Sequence, residues 1–173
     1  MCLPVLCGTG IMFADRDIVD FLKPFRNSST VIMGIGNILK GDDAVGPLVC
    51  ERLKNENISA DVIDAATVPE NYIQTVIKKS PRNLIVIDAI SFDAAPGAIK
   101  VFQAEQLDSI IISTHTLSPR IFIDMIRQSI KLEVVFIGIQ PEQTQLGFPV
   151  SAQVNRAIEE LTRVLLKNFP PKT

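Results

Sequence analysis

The sequence predicts an α/β protein: a three-layer sandwich in which a twisted, mostly parallel sheet of about five strands is flanked by helices. Two observations carry this prediction. Short aliphatic runs alternate with segments of helical period along most of the chain, which is the rhythm of strand–helix–strand units. The strongest run, four aliphatics at 84–87 within NLIVIDAI, shows no polar alternation, so it suits a strand buried on both faces, as in a parallel sheet.

Taken in order, STVIMGIGN reads as a buried strand running into a glycine turn. Residues 44–55 place Val45, Leu48, Val49 and Leu53 at helical spacing. DVIDAA is a short strand. VPENYIQTVIKK begins with Pro69 in its first turn and sets Tyr72, Ile73, Val76 and Ile77 on one face, so it is a helix. After NLIVIDAI, a Pro96-Gly97 turn leads into the strand GAIKVFQ. SPRIFIDMIRQSI is a helix with Ser118 as its N-cap and Pro119 as its first helical residue. EVVFIGIQP is a strand ended by Pro141, and VSAQVNRAIEELTRVLLKNF is an amphipathic closing helix. Residues 1–29 stand outside the rhythm. They are expected to form an N-terminal extension with one short helix around 18–25 packed on the outside, leaving 30–173 as the α/β domain.

The composition excludes several classes. With 47% hydrophobic residues the chain has ample material for a core. A net charge of -2, no basic stripe and no Trp argue against nucleic acid as a partner. Cys2, Cys7 and Cys50 are odd in number and scattered, which is no disulfide framework. Zinc at Cys2 and Cys7 lacks further ligands, since the chain has one histidine, and Cys50 falls beside Val49 on an apolar helix face, as packing. The apolar start MCLPVLCGTGIMF lacks a basic flank and is too short to span a bilayer, and no later window supplies a span. A cytoplasmic protein with no membrane insertion is expected. No helix shows a second apolar stripe, so a monomer is expected too.

Ligands of open α/β sheets bind at the carboxyl ends of the strands. The polar groups that follow the strands are Asn37, Asp42 and Asp43, then Asp64, then Asp88 and Asp93, with His115 just ahead of a helix. Asp88 ends a run of aliphatics, where a carboxylate is costly to bury without a purpose. Asp42 and Asp43 could simply complement a helix N-terminus. Being adjacent, they point in different directions, so a carboxylate pair is better formed by Asp43 with Asp88. His115 is the only histidine and would by itself read as an exposed loop residue. With two carboxylates at the same sheet edge it completes a ligand set suited to a borderline divalent ion such as zinc or nickel, with positions left open. The glycine loop fails both phosphate patterns: Leu39 stands where the dinucleotide fingerprint needs glycine, and Asp42 where the P-loop needs lysine. Gly34 and Gly36 are read instead as permitting a tight turn and close approach of a ligand. Ser91 and Ser113 sit in no nucleophile elbow.

Five blocks in order, GIGNILKGDDAVGP, VIDAATVPEN, LIVIDAISFDAAPGAI, STHTLSP and FIGIQPE, resemble those of the NiFe hydrogenase maturation endopeptidases, over about residues 30–168. The last block with LGFPVS resembles most the enzymes that serve hydrogenase 3 and related membrane-bound, energy-converting hydrogenases. The resemblance implies a peptidase that removes a short C-terminal extension from the hydrogenase large-subunit precursor after nickel insertion. It also implies a twisted, largely parallel sheet and a metal-binding trio that falls on Asp43, Asp88 and His115. The nickel is then the substrate's, and no permanent cofactor is expected. Two mechanisms stay open: the metal positions or polarises the scissile peptide while a carboxylate activates water, or Asp43 and Asp88 act as an aspartic-type pair and nickel is only recognised. Two other readings stand beside this one. The chain could be a nucleotide-binding α/β protein using the loop at 34–41, with Asp64 as a ribose ligand, or a chaperone that binds nickel-loaded precursor without cutting it.

Overall fold

The computed structural model describes residues 11–12, 15–104 and 118–172. The elements are β1 (Ile11–Met12), α1 (Asp15–Leu22), β2 (Thr30–Gly34), α2 (Val45–Asn55), β3 (Asp61–Asp64), α3 (Ile73–Lys79), β4 (Asn83–Ala89), β5 (Ile99–Gln103), α4 (Pro119–Arg127), β6 (Glu133–Ile139) and α5 (Ala152–Asn168). The strands form one sheet in the order β1-β5-β6-β4-β2-β3. The four strands from β6 to β3 are mutually parallel. β5 runs antiparallel to β6, and the two-residue β1 runs antiparallel to β5.

The reversal at β5 has a topological cause. A parallel neighbour needs a long crossover, whereas β4 and β5 are joined by a helix-free stretch of nine residues. The chain therefore comes back down from the edge at which β4 ended. β6 then enters between them, pairing Asp88 with Gly138 on one side and Gly138 with Lys100 on the other.

Each face of the sheet carries its own core. On one face Ile32, Ile85 and Ile87 meet Val49 and Leu53 of α2 and the apolar stripe of α5, including Val154, Ile158 and Leu161. Ile18 and Leu22 of α1 are wholly buried in the same cluster, and α1 lies on α5. On the other face Leu84, Val86 and Phe136 meet Ile73 and Val76 of α3 and Phe122, Ile123 and Ile126 of α4. This is the three-layer sandwich predicted from β4: every residue of that strand is buried, and alternate side chains feed opposite cores.

Helix starts follow local chemistry with one consistent difference. Ser118 caps α4 as predicted, its Oγ accepting from the Ile121 N–H at 3.3 Å, with Pro119 first in the helix. The stretch ahead of α2, Gly41–Ala44, and the segment read as the first turn of α3, Pro69–Tyr72, are 3-10 turns, neither of which has a side-chain cap. A 3-10 opening turn is common at helix N-termini, where i→i+3 bonding satisfies groups left without a partner.

Cys50 is a packing residue. Its thiol donates to the Ile63 carbonyl at 3.3 Å, and burial, reinforced by the Asp64 charge, pushes it up to about 12. We predict that native protein resists alkylation at Cys50 at pH 8, with modification following global unfolding; rapid labelling of folded protein would contradict this. The folded value lies above that of an unfolded thiol, so the unfolded chain loses its proton first as pH rises. The stability from the neutral thiol is full below about pH 8.5 and declines as pH climbs toward 12. Among the described residues no helix is long and apolar enough to cross a membrane.

Candidate active site

Strand order locates the switch point before any side chain does. From β2 the chain crosses to β3 on one side, while from β4 it passes to β5 and β6 on the other. The carboxyl ends of β2 and β4 thus flank a switch point, the place at which open α/β sheets bind their ligands. Asp43 follows β2 and Asp88 lies within the end of β4, so these two predicted residues bracket that point.

Both are buried, Asp43 fully and Asp88 to within 1%. Asp43 sits in the 3-10 turn that packs against β4. Its Oδ2 accepts the Asn37 N–H at 3.0 Å, the same N–H that reaches the Asp43 carbonyl at 3.1 Å, and its own N–H donates to the Lys40 carbonyl at 3.0 Å. These bonds close the loop from 37 to 43 into a compact ring. Gly36, with φ +142, makes room beneath it: a Cβ there would lie 1.9 Å from the Asp43 carbonyl oxygen.

Asp88 shares the sheet face of Leu84 and Val86, the face covered by α3 and α4. In register across β6, Lys100 projects to that face too, and it is buried with its Nζ 5.5 Å from the Phe92 ring centroid and 5.2 Å from that of Phe102. Gly138 between them leaves the row open, since a Cβ there would meet Ile90 and Phe102 at about 3.0 Å. His115 lies outside the described residues, as do Cys2, Cys7 and Ser113. Among the described residues no group of three or more His, Cys, Asp and Glu could hold a metal ion.

Three sequence readings change. Asp42 does more than complement a helix N-terminus: its buried carboxylate ties down a distant loop, accepting from the N–H groups of Glu142 (2.8 Å), Gln143 (3.0 Å) and Ser151 (2.7 Å) and from the Ser151 hydroxyl (3.0 Å). Asp64, a ribose ligand in the nucleotide reading, closes a local turn by accepting the Ala66 N–H at 3.0 Å. Gly34 and Gly36 admit backbone, not a ligand: a Cβ on Gly34 would lie 2.3 Å from the Gly46 carbonyl oxygen. Gln140 went unnoticed in the sequence. Nearly buried after β6, its Oε1 accepts the N–H groups of Phe92 at 2.8 Å and Ala94 at 3.4 Å and so fixes the loop that follows Asp88.

Two buried acids, Asp43 and Asp88, at the switch point of a mostly parallel, helix-flanked sheet define the class as an α/β protein with carboxylates at its ligand-binding edge. A family model described as hydrogenase maturation protease matches residues 47–168, a stretch that holds Asp88 and His115 and begins just after Asp43. The hydrogenase 3 maturation protease of Escherichia coli (strain K12) is 30% identical over 134 residues, 75% of this chain and 83% of that protein. The crystal structure of a NiFe hydrogenase maturation protease, HycI from Thermococcus kodakarensis KOD1, matches with a TM-score of 0.78 at 30% identity, covering 86% of this chain and 97% of that one. The solution structure of the endopeptidase HycI from Escherichia coli matches with a TM-score of 0.71 at 28% identity, covering 78% and 87%. The chain belongs to the hydrogenase maturation protease family. It is an endopeptidase, a peptide-bond hydrolase that processes a hydrogenase precursor.

Proposed function

We propose that this enzyme, a cytoplasmic monomer, removes the C-terminal extension of a NiFe hydrogenase large-subunit precursor after nickel insertion, and that Asp43, Asp88 and His115 engage the nickel carried by that substrate. The observation that carries the reading is the placement of Asp43 and Asp88, both buried, on either side of the switch point between β2 and β4. His115 precedes the N-cap of α4 by three residues. α4 covers the sheet face of Asp88 and leads at its far end into β6, so its amino end is directed toward the carboxyl edge.

Two carboxylates and an imidazole suit a borderline divalent ion and leave positions for the substrate's own ligands. When bound, nickel supplies Lewis-acid polarisation and positioning of the peptide near it. The protein's own part is to hold Asp43 by the Asn37 N–H, to hold Asp88 at the end of a rigid strand, and to give one of these carboxylates the proton of the attacking water. In the aspartic-type alternative this pair does the chemistry alone and nickel is only recognised.

The test is incubation with nickel-loaded precursor, read by mass spectrometry for loss of a C-terminal peptide. Enzyme stripped by chelation should cleave, since the metal arrives with the substrate, and His115→Ala should not. Normal cleavage by His115→Ala would remove His115 from the site, and cleavage of nickel-free precursor at the same rate would refute nickel recognition.

A further inference from the structure

Asp42 makes contacts that the cleavage chemistry above does not use. Its carboxylate is wholly buried and takes four donors, all from the stretch 142–151 about a hundred residues away. The two loops are stitched further by backbone bonds: Asp42 N–H to the Gln143 carbonyl (3.0 Å), Gly41 N–H to the Phe148 carbonyl (3.1 Å) and Gly147 N–H to the Leu39 carbonyl (2.8 Å). Gln143 braces the distant loop from within, donating to the Pro149 carbonyl at 2.8 Å and accepting the Gln145 N–H at 3.0 Å. This rigid mount displays apolar side chains to solvent. Ile38 (67% exposed) and Leu39 (62%) stand on one loop, with Leu146 (69%) and Phe148 (53%) on the other.

Scattered exposed apolar residues are ordinary, but four large ones on two adjoining loops mark a surface built for contact. Its position selects the occupant. The rim belongs in part to the loop that carries Asp43, and the enzyme's substrate is a protein, of which the segment to be cut reaches the acids while the rest lies outside and can rest on the adjoining surface. We propose that Asp42 is a positioning residue that clamps loop 141–151 to loop 35–44, so that Ile38, Leu39, Leu146 and Phe148 form one apolar rim on which an apolar patch of the precursor docks. This inference rests on the precursor-processing reading above.

The test measures cleavage rates over a range of nickel-loaded precursor concentrations. Phe148→Ser, a change at an exposed position, should raise KM about tenfold and leave kcat within about twofold. Asp42→Asn sets an amide N–H2 among N–H donors. It should raise KM at least as much and speed hydrogen exchange at the Glu142, Gln143 and Ser151 amides about tenfold or more without any substrate present. Ser151→Ala, which removes one donor of four, should fall between Asp42→Asn and the parent. If the parent cleaves and Phe148→Ser keeps its KM, the docking rim is wrong. If Asp42→Asn loses kcat at unchanged KM, Asp42 acts on the chemistry and the clamp role is overturned. A parent that cleaves no precursor would instead sink the processing reading, and the rim with it.

Discussion

Asp43→Asn and Asp88→Asn should each lower cleavage of a nickel-loaded precursor by about a thousandfold or more while the protein stays folded. The expected size follows from what the substitution removes. Asparagine keeps the volume of aspartate, so the packing around two buried side chains is retained. What disappears is a negative charge that can take a proton from water or bind a cation, and inside a cleft screened from solvent that charge acts strongly. At Asp43 the amide oxygen can still accept the Asn37 N–H, so the ring from 37 to 43 should close as before. The unfolding midpoint is therefore expected to move by only a few degrees, which separates lost chemistry from lost structure. Groups acting as a unit are not additive. The double variant should be scarcely slower than either single one, and a product of two separate losses would show that the residues work independently. Either single variant cleaving within about tenfold of the parent would remove it from the site.

How far these residues were legible depends on the range of the interaction that fixes each. Asp88 could be read locally: a carboxylate that ends an unbroken aliphatic run is a position that packing alone would not choose. Ser118 and Pro119 were equally local, because an N-cap is written in consecutive residues. The antiparallel course of β5 is not carried by the residues of GAIKVFQ, whose pattern suits either direction; it follows from the helix-free link to β4 and the later insertion of β6. Asp42 and Asp43 differ only in what each meets after folding. One reaches a loop a hundred positions on, the other an N–H six positions back. Adjacency showed that the two would diverge but not where Asp42 would go.

Gly46→Ala should destabilise the fold by about 1–2 kcal/mol and lower activity further than the lost stability explains. Gly46 lies in the first turn of α2, where it seats the helix on the sheet. A Cβ there would stand 2.3 Å from both the nitrogen and the oxygen of Ile35 and 2.6 Å from the Ile87 oxygen, and all three are backbone atoms that no rotamer change can move. From β2, a Cβ on Gly34 would in turn lie 2.3 Å from the Gly46 carbonyl oxygen, so the start of α2 and the end of β2 pack backbone to backbone. Two effects oppose. Alanine improves helix propensity by up to about 1 kcal/mol over glycine in a helix interior. Forcing a methyl into a packed backbone contact costs about 1–3 kcal/mol, and here the collision is at once with the residue that follows β2 and with β4. The collision wins, because relieving it means lifting the start of α2 off β2 and β4 at the switch point itself. Asp43 stands three residues ahead of Gly46, in the 3-10 turn that runs into α2, and would be carried with the helix. Denaturant titration beside the precursor assay checks both halves. A variant more stable than the parent would mean that α2 has slack against the sheet, and one that loses stability yet keeps the parent's rate on precursor would mean that Asp43 is held by its own loop and not by the seat of the helix.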